Sequence, residues 1–179
     1  MEKTNKQFDD AIKICRDIFE KKLIDYGTAW RVLRPCSLTD QIFIKAQRIR
    51  SFEIKKVQKI NEDVKSEYIG IINYAIIALI QIELGITNEI NLDKERALSL
   101  YEKYSKNALE LMKKKNHDYD EAWRNMRISS YTDLILMKIY RTKQIEDNEG
   151  ETLISEGVDA NYFDMINYSV FALIKLILE

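Results

Sequence analysis

The feature that most constrains this chain is that it repeats itself. KKLIDYGTAWRVLRPCSLTDQIFIKAQRIRSFE aligns without a gap with KKNHDYDEAWRNMRISSYTDLILMKIYRTKQIE, Lys21 falling on Lys114. Lys22, Asp25, Tyr26, Ala29, Trp30, Arg31, Arg34, Ser37, Thr39, Asp40, Lys45, Arg48 and Glu53 return as Lys115, Asp118, Tyr119, Ala122, Trp123, Arg124, Arg127, Ser130, Thr132, Asp133, Lys138, Arg141 and Glu146. After one inserted residue the match resumes, and Glu62, Tyr68, Ile72, Asn73, Tyr74 and Leu79 return as Glu156, Tyr162, Ile166, Asn167, Tyr168 and Leu173. A repeat of this kind is one supersecondary unit written twice, and neither copy is expected to bury its apolar face alone. Unit one spans about residues 6–85 and unit two about 99–179, joined by a polar connection at 86–98, within one globular domain of 1–179.

Each unit reads as three helices. Phe8, Ile12, Cys15, Phe19 and Leu23 recur at three-to-four spacing and stop near Gly27, a natural helix terminator. Ala97, Leu98, Tyr101, Leu109 and Met112 do the same in unit two, after Asn91 or Asp93 as a cap. A second helix is expected to open at Ser37 or Thr39, and at Ser130 or Thr132, with Asp40 or Asp133 in its first turn. The third helix carries Ile69, Ile72, Ile76, Leu79 and Ile80, mirrored by Phe163, Ile166, Val170, Leu173 and Ile174. Sustained two-residue alternation is absent from the sequence, so the expected fold is all-α. It is a helical bundle of two three-helix repeats with an approximate internal twofold, packed through the third helices.

Charge and cysteine usage narrow the function classes. Twenty-eight Lys and Arg against 29 Asp and Glu leave a formal charge of -1, so no global basic field supports nonspecific nucleic-acid binding. Cys15 and Cys36 form no metal spacing with His117, and a reduced, cytoplasmic protein is expected. Met1 to Asp10 is polar, so no signal peptide is expected. Tyr68 to Ile80 is too short to span a bilayer by itself and reads as a buried core helix rather than a membrane segment.

What the repeat keeps is largely polar. Arg31 and Arg34, or Arg124 and Arg127, can grip carboxylate or phosphate oxygens, and Trp30 or Trp123 can stack on a base. Equally, the Trp can anchor the helix junction and the Arg can pair with Asp25 or Asp118. Lys45 and Arg48, or Lys138 and Arg141, share a helix face and no acid stands four residues before them, so phosphates or an interhelical ion pair must meet them. The acids are asymmetric: unit two holds Glu156, Asp159 and Asp164, whereas unit one keeps Glu62 but has Lys65 and Gly70. Were the third helix to extend back to Glu156, Glu156, Asp164 and Asn167 would share a broad face, a set of hard oxygen donors suited to magnesium. The alternative is an acidic helix start with Asn73 and Asn167 satisfying buried backbone.

KxxDYxxAWR, a helix with KxxR, then Glu156 ahead of Asp164, Asn167 and Tyr168, resembles the nucleotide modification associated domain found in phage and bacterial proteins. The resemblance covers both units and is tighter in the second. It implies an all-α domain linked to nucleotide or DNA-base modification. More distantly the chain is similar to MazG-type pyrophosphohydrolases, which hold magnesium on helical carboxylates in an ExxE then ExxD pattern. It departs from them where Lys138 and Arg141 occupy the second helix and Asn161 stands three before Asp164.

The functional expectation is a nucleotide-handling protein, in one version a magnesium-dependent nucleoside triphosphate pyrophosphohydrolase. Glu156, Asp159 and Asp164 would hold metal, and Asp118, Tyr119, Trp123, Arg124, Arg127, Lys138, Arg141 and Asn167 would hold the nucleotide. Asp25, Arg31, Arg34, Lys45, Arg48, Glu62 and Asn73 would form a degenerate second site. The alternatives are a noncatalytic nucleotide-binding or accessory module and a structural scaffold, as a monomer with an internal twofold or as a homodimer.

Overall fold

The computed structural model describes residues 2–56 and 63–178. Unit one comprises α1 (Glu2–Tyr26), a 3-10 turn (Ala29–Val32), α2 (Pro35–Lys55) and α3 (Val64–Leu84). Unit two repeats the order as α4 (Lys94–Tyr119), a 3-10 turn (Ala122–Asn125), α5 (Ile128–Asp147) and α6 (Val158–Leu173). Helix α6 runs on into one π turn, Ile174–Leu178. All regular structure among the described residues is helical, and the repeat in sequence is a repeat in elements.

Burial follows the apolar spacing. Helix α1 turns Phe8, Ala11, Cys15, Phe19 and Leu23 inward and ends at Gly27, whose φ of +63° suits a residue without a Cβ. Of the two candidate caps for α4, Asp93 is the one used, its carboxylate accepting the Arg96 amide at 2.7 Å.

Helices α3 and α6 pack on each other, α2 packs on α5, and α2–α3 and α5–α6 form the intra-unit pairs, giving a four-helix centre. Helices α1 and α4 lie against one another and against both third helices. Because α3 is enclosed from several sides, it buries residues around most of its circumference, including Tyr68, Ile71, Ile72, Ala75, Ile76, Ala78 and Ile80. It is the one described helix long and apolar enough to cross a membrane, and it forms the core of the bundle instead. Each such Ile removed from water contributes roughly 1.5–3 kcal/mol.

Two helix starts differ from expectation. Helix α2 begins at Pro35, with Arg34 in extended conformation at the cap position and no side-chain capping bond, and α5 begins likewise at Ile128 after Arg127. Proline at the first helical position lacks the N–H that would go unsatisfied there and has its φ preset, which suits the start of α2, while Ile128 opens α5 at the same repeat position without it. Helix α6 begins at Val158, with Gly157 as its cap residue, so Glu156 precedes the helix and does not share a helical face with Asp164.

Candidate functional site

The retained arginines are used by the junctions between first and second helices. Arg31 is buried and donates to Gln81 Oε1, to the Gly85 carbonyl at 2.9 Å and to Asn91 Oδ1 at 3.4 Å. Gln81 in turn donates to the Arg31 and Leu33 carbonyls. In unit two Lys175 fills the place of Gln81 and donates to the carbonyls of Arg124 and Met126. Arg124 engages Glu121, Thr4 and Gln7. Asp25 and Asp118 are exposed and pair with neither arginine; Asp118 sits beside His117. Arg34 and Arg127 are exposed cap residues.

A second set of retained residues ties the halves together. The Thr39 hydroxyl donates to Glu146 at 2.8 Å and lies 2.6 Å from the Tyr162 hydroxyl. Thr132 makes the same pair of contacts with Glu53 and Tyr68, both at 2.8 Å. Each triad joins one unit to the other, so the twofold is written in hydrogen bonds. Burial pushes the Glu53 and Glu146 carboxyls above the usual range, a rise that the threonine hydrogen bonds only partly offset. Outside them lie the matching surface pairs Lys143–Asp40 at 2.6 Å and Arg50–Asp133 at 3.9 Å.

What remains of the repeated polar set converges on two cavities, one per unit. The unit-two cavity, of about 380 Å³, is lined by Met112, Lys115, Asn116, Tyr119, Ala122, Trp123, Met126, Asp164, Asn167, Tyr168 and Phe171. The unit-one cavity, of about 600 Å³, includes Phe19, Lys22, Leu23, Tyr26, Ala29, Trp30, Leu33, Gly70, Asn73, Tyr74 and Ile77. These are the same eleven positions in the repeat, taken in order, and Lys, Tyr, Ala, Trp, Asn and Tyr are identical at six of them. Drift that leaves surfaces dissimilar has left these two walls alike.

The differences are chemical. In unit two Lys115 and Lys138 meet the Asp164 carboxylate from two sides, at 2.5 and 2.6 Å. Burial works against the Lys115 charge, yet Asp164 outweighs it and raises that ammonium's pKa. In unit one the position of Asp164 is Gly70, and a Cβ there would come within 2.5 Å of the Lys45 side chain. Lys45 instead lies 3.4 Å from Glu67, one turn earlier on α3, where Arg48 also binds at 2.5 Å. The acid has moved by one helical turn and the interhelical ion pair has been kept.

Two buried asparagines also diverge. Asn73 donates to the Cys15 carbonyl at 3.1 Å and accepts from the Tyr101 hydroxyl at 2.8 Å. Asn167 is buried with neither amide atom hydrogen-bonded among the described residues. The repeat gives the reason: the counterpart of Tyr101 is Phe8, which has no hydroxyl. Both indole N–H groups, of Trp30 and Trp123, are likewise buried without a partner.

The structure does not gather the expected metal ligands. Glu156 and Asp159 are exposed, Asp164 is committed to two lysines, and no group of three or more His, Cys, Asp or Glu among the described residues is placed to hold a metal ion. Nor do the expected phosphate ligands share one place: Arg124 and Arg127 belong to the junction, Lys138 to Asp164, and Arg141 lines a separate loop cavity with Asp147, Asn148 and Ser155. Trp123 is not free to stack, because Phe171 lies parallel on its ring at 4.3 Å and the Arg124 guanidinium lies over it at 4.4 Å. Glu62 falls outside the described residues. Tyr119, Trp123 and Asn167 do line the unit-two cavity, and Lys45 and Asn73 the unit-one cavity. Lys22/Lys115 and Tyr74/Tyr168 line them too, and were not among the expected site residues. Their signal was present, since both pairs are retained in the repeat.

A family model described as nucleotide modification associated domain 1 matches the chain twice, over residues 22–82 and 115–176. Each match contains every lining position of one cavity except those early on its first helix, Ile18 and Phe19 in unit one and Met112 in unit two. No curated protein and no solved structure matches the chain.

Proposed function

The chain belongs to the nucleotide modification associated domain 1 family, and from that premise we propose that it binds nucleotides in its repeated cavity, as a noncatalytic module of a nucleotide- or base-modifying process. One observation carries this reading: the lining that the two units retain combines flat aromatic surface from Trp and Tyr, an amide from Asn and a cation from Lys. A planar base, its polar edge and its phosphate call for those three. A concave, largely apolar site with a few convergent polar groups is what small-molecule binding requires, whereas a scaffold has no need of a cavity repeated in both halves.

The hydrolytic version asks for converging carboxylates, and this donor set does not fit magnesium, because Asp164 is neutralised by Lys115 and Lys138. The test is thermal unfolding of the full chain against each common nucleoside mono- and triphosphate, with and without magnesium. A ligand at a hundred times its Kd stabilises by about 2.7 kcal/mol, a readable shift. No shift with any nucleotide removes the binding reading, and pyrophosphate release would replace it with the hydrolytic one.

A further inference from the structure

The two cavities are not equally available to a ligand. In unit two, Phe171 lies parallel on Trp123, with an interplanar angle of 6°, and the Asp164 carboxylate sits between Lys115 and Lys138. An aromatic ring on the Trp and an anion between the lysines are the two groups a nucleotide would bring. Phe171 and Asp164 stand seven residues apart on α6, about 10 Å along its axis, a span that a base with its phosphate chain can cover. In unit one the same two positions are Ile77 and Gly70. Among the described residues no ring lies parallel to Trp30, its aromatic neighbour Phe19 being tilted by 41° at 6.4 Å. No cation lies over it either, since Arg31 turns to Gln81 and Gly85. Lys22 lines the cavity with no carboxylate partner among the described residues, while Glu67, which also lines it, is taken by Lys45 and Arg48, and the cavity is the larger of the two.

We infer that unit one is the working nucleotide site, and that unit two is the same site filled by its own side chains, Phe171 standing for the base and Asp164 for the phosphate. This rests on the nucleotide-binding reading and reverses the ranking of the units expected from their acids. In unit one the base lies against Trp30 beside Ile77. The phosphate is met by Lys22, beside the Lys45 stem that crosses Gly70, Lys45 itself being held by Glu67. The reduction of Phe to Ile leaves Trp30 without a ring parallel to it, and the reduction of Asp to Gly leaves Lys22 without the carboxylate that holds Lys115. Gly70 serves a second end by letting the Lys45 stem cross where any Cβ would meet it.

The chain's two tryptophans, one per cavity, make the test direct. Trp123→Phe leaves Trp30 as sole reporter, and Trp30→Phe leaves Trp123. The full-length variants are titrated with the four deoxynucleoside monophosphates and triphosphates, with calorimetry on the wild type for affinity and stoichiometry. The inference expects Trp30 fluorescence to respond and Trp123 not to, with one nucleotide bound per chain. It expects Gly70→Asp to weaken binding at least tenfold, because Lys45 can swing onto the new carboxylate as Lys138 does onto Asp164. It also expects Asp164→Ala with Phe171→Ile to raise the stoichiometry toward two. Circular dichroism checks that each variant is folded, and if the double variant is not, the Gly70→Asp result and the two reporters decide. Binding reported by Trp123, or binding that Gly70→Asp leaves unchanged, overturns the inference while leaving nucleotide binding standing. Absence of any binding to the wild type overturns both.

Discussion

Asn73 and Asn167 occupy one position in two copies, yet they have different energetics, and that contrast can be measured. Replacing Asn73 with Leu strands the buried Tyr101 hydroxyl, the Cys15 carbonyl staying within the α1 ladder, and is expected to cost about 1–3 kcal/mol. Asn167→Leu removes a buried amide that has no partner among the described residues and is expected to be neutral or stabilising. Urea unfolding of the two variants checks this, and equal losses would contradict it. A pH effect belongs at this scale too. Glu53 and Glu146 bind their protons more tightly folded than unfolded, so their contribution to stability is fully present below the ordinary carboxylate pKa and is lost as pH rises through the raised one. Glu53→Gln with Glu146→Gln keeps an acceptor for each threonine. It is expected to flatten that fall between about pH 4.5 and neutrality, as thermal melts across the range would record. Sequence identified Thr39, Tyr68, Glu53 and their counterparts as repeated but not as partners. Each triad crosses between units, and an offset says what recurs without saying what meets.

Among the elements, helix content and apolar faces were legible because three-to-four spacing is written locally in Phe8, Cys15, Phe19 and Leu23. Helix starts were less so. Both second helices open at one repeat position, Pro35 and Ile128, ahead of the Ser and Thr; proline suits that position in α2, and each threonine is drawn away to a Tyr and a Glu of the other unit. At the other end of the unit α6 opens after Glu156, so Glu156 stands outside the helical face that carries Asp164. The junction turns are held from the far side, by Gln81 in one unit and Lys175 in the other. Gln81→Ala takes one acceptor from buried Arg31, which keeps the Gly85 carbonyl and Asn91, removes the donor to two carbonyls, and is expected to cost about 2–4 kcal/mol. Lys175→Met keeps the apolar stem, loses the ammonium that serves the Arg124 and Met126 carbonyls, and is expected to cost less because the side chain is only partly buried. Chemical denaturation of both variants orders them.

For the molecule as a whole, duplication explains why one domain serves where two short ones would be marginal. Helices α3 and α6 are packed on one another as well as on α2 and α5, so a unit alone leaves one side of its third helix uncovered. The halves are also interlocked by polar groups: Thr4 and Gln7 of α1 reach Arg124 of the second junction, Thr28 of the first junction donates to the Leu92 carbonyl just before α4, and each Thr–Tyr–Glu triad has members in both units. A half expressed alone therefore exposes its third helix and loses every one of these bonds. Residues 1–88 and 89–179 as separate chains are each expected to lack cooperative unfolding as monomers. Mixed, they are expected to restore helicity and a single transition, because the contacts they lack are supplied by the partner. Circular dichroism and sedimentation of each half and of the mixture read this out. A half that melts cooperatively as a monomer would mean that the unit, and not the pair, is what folds.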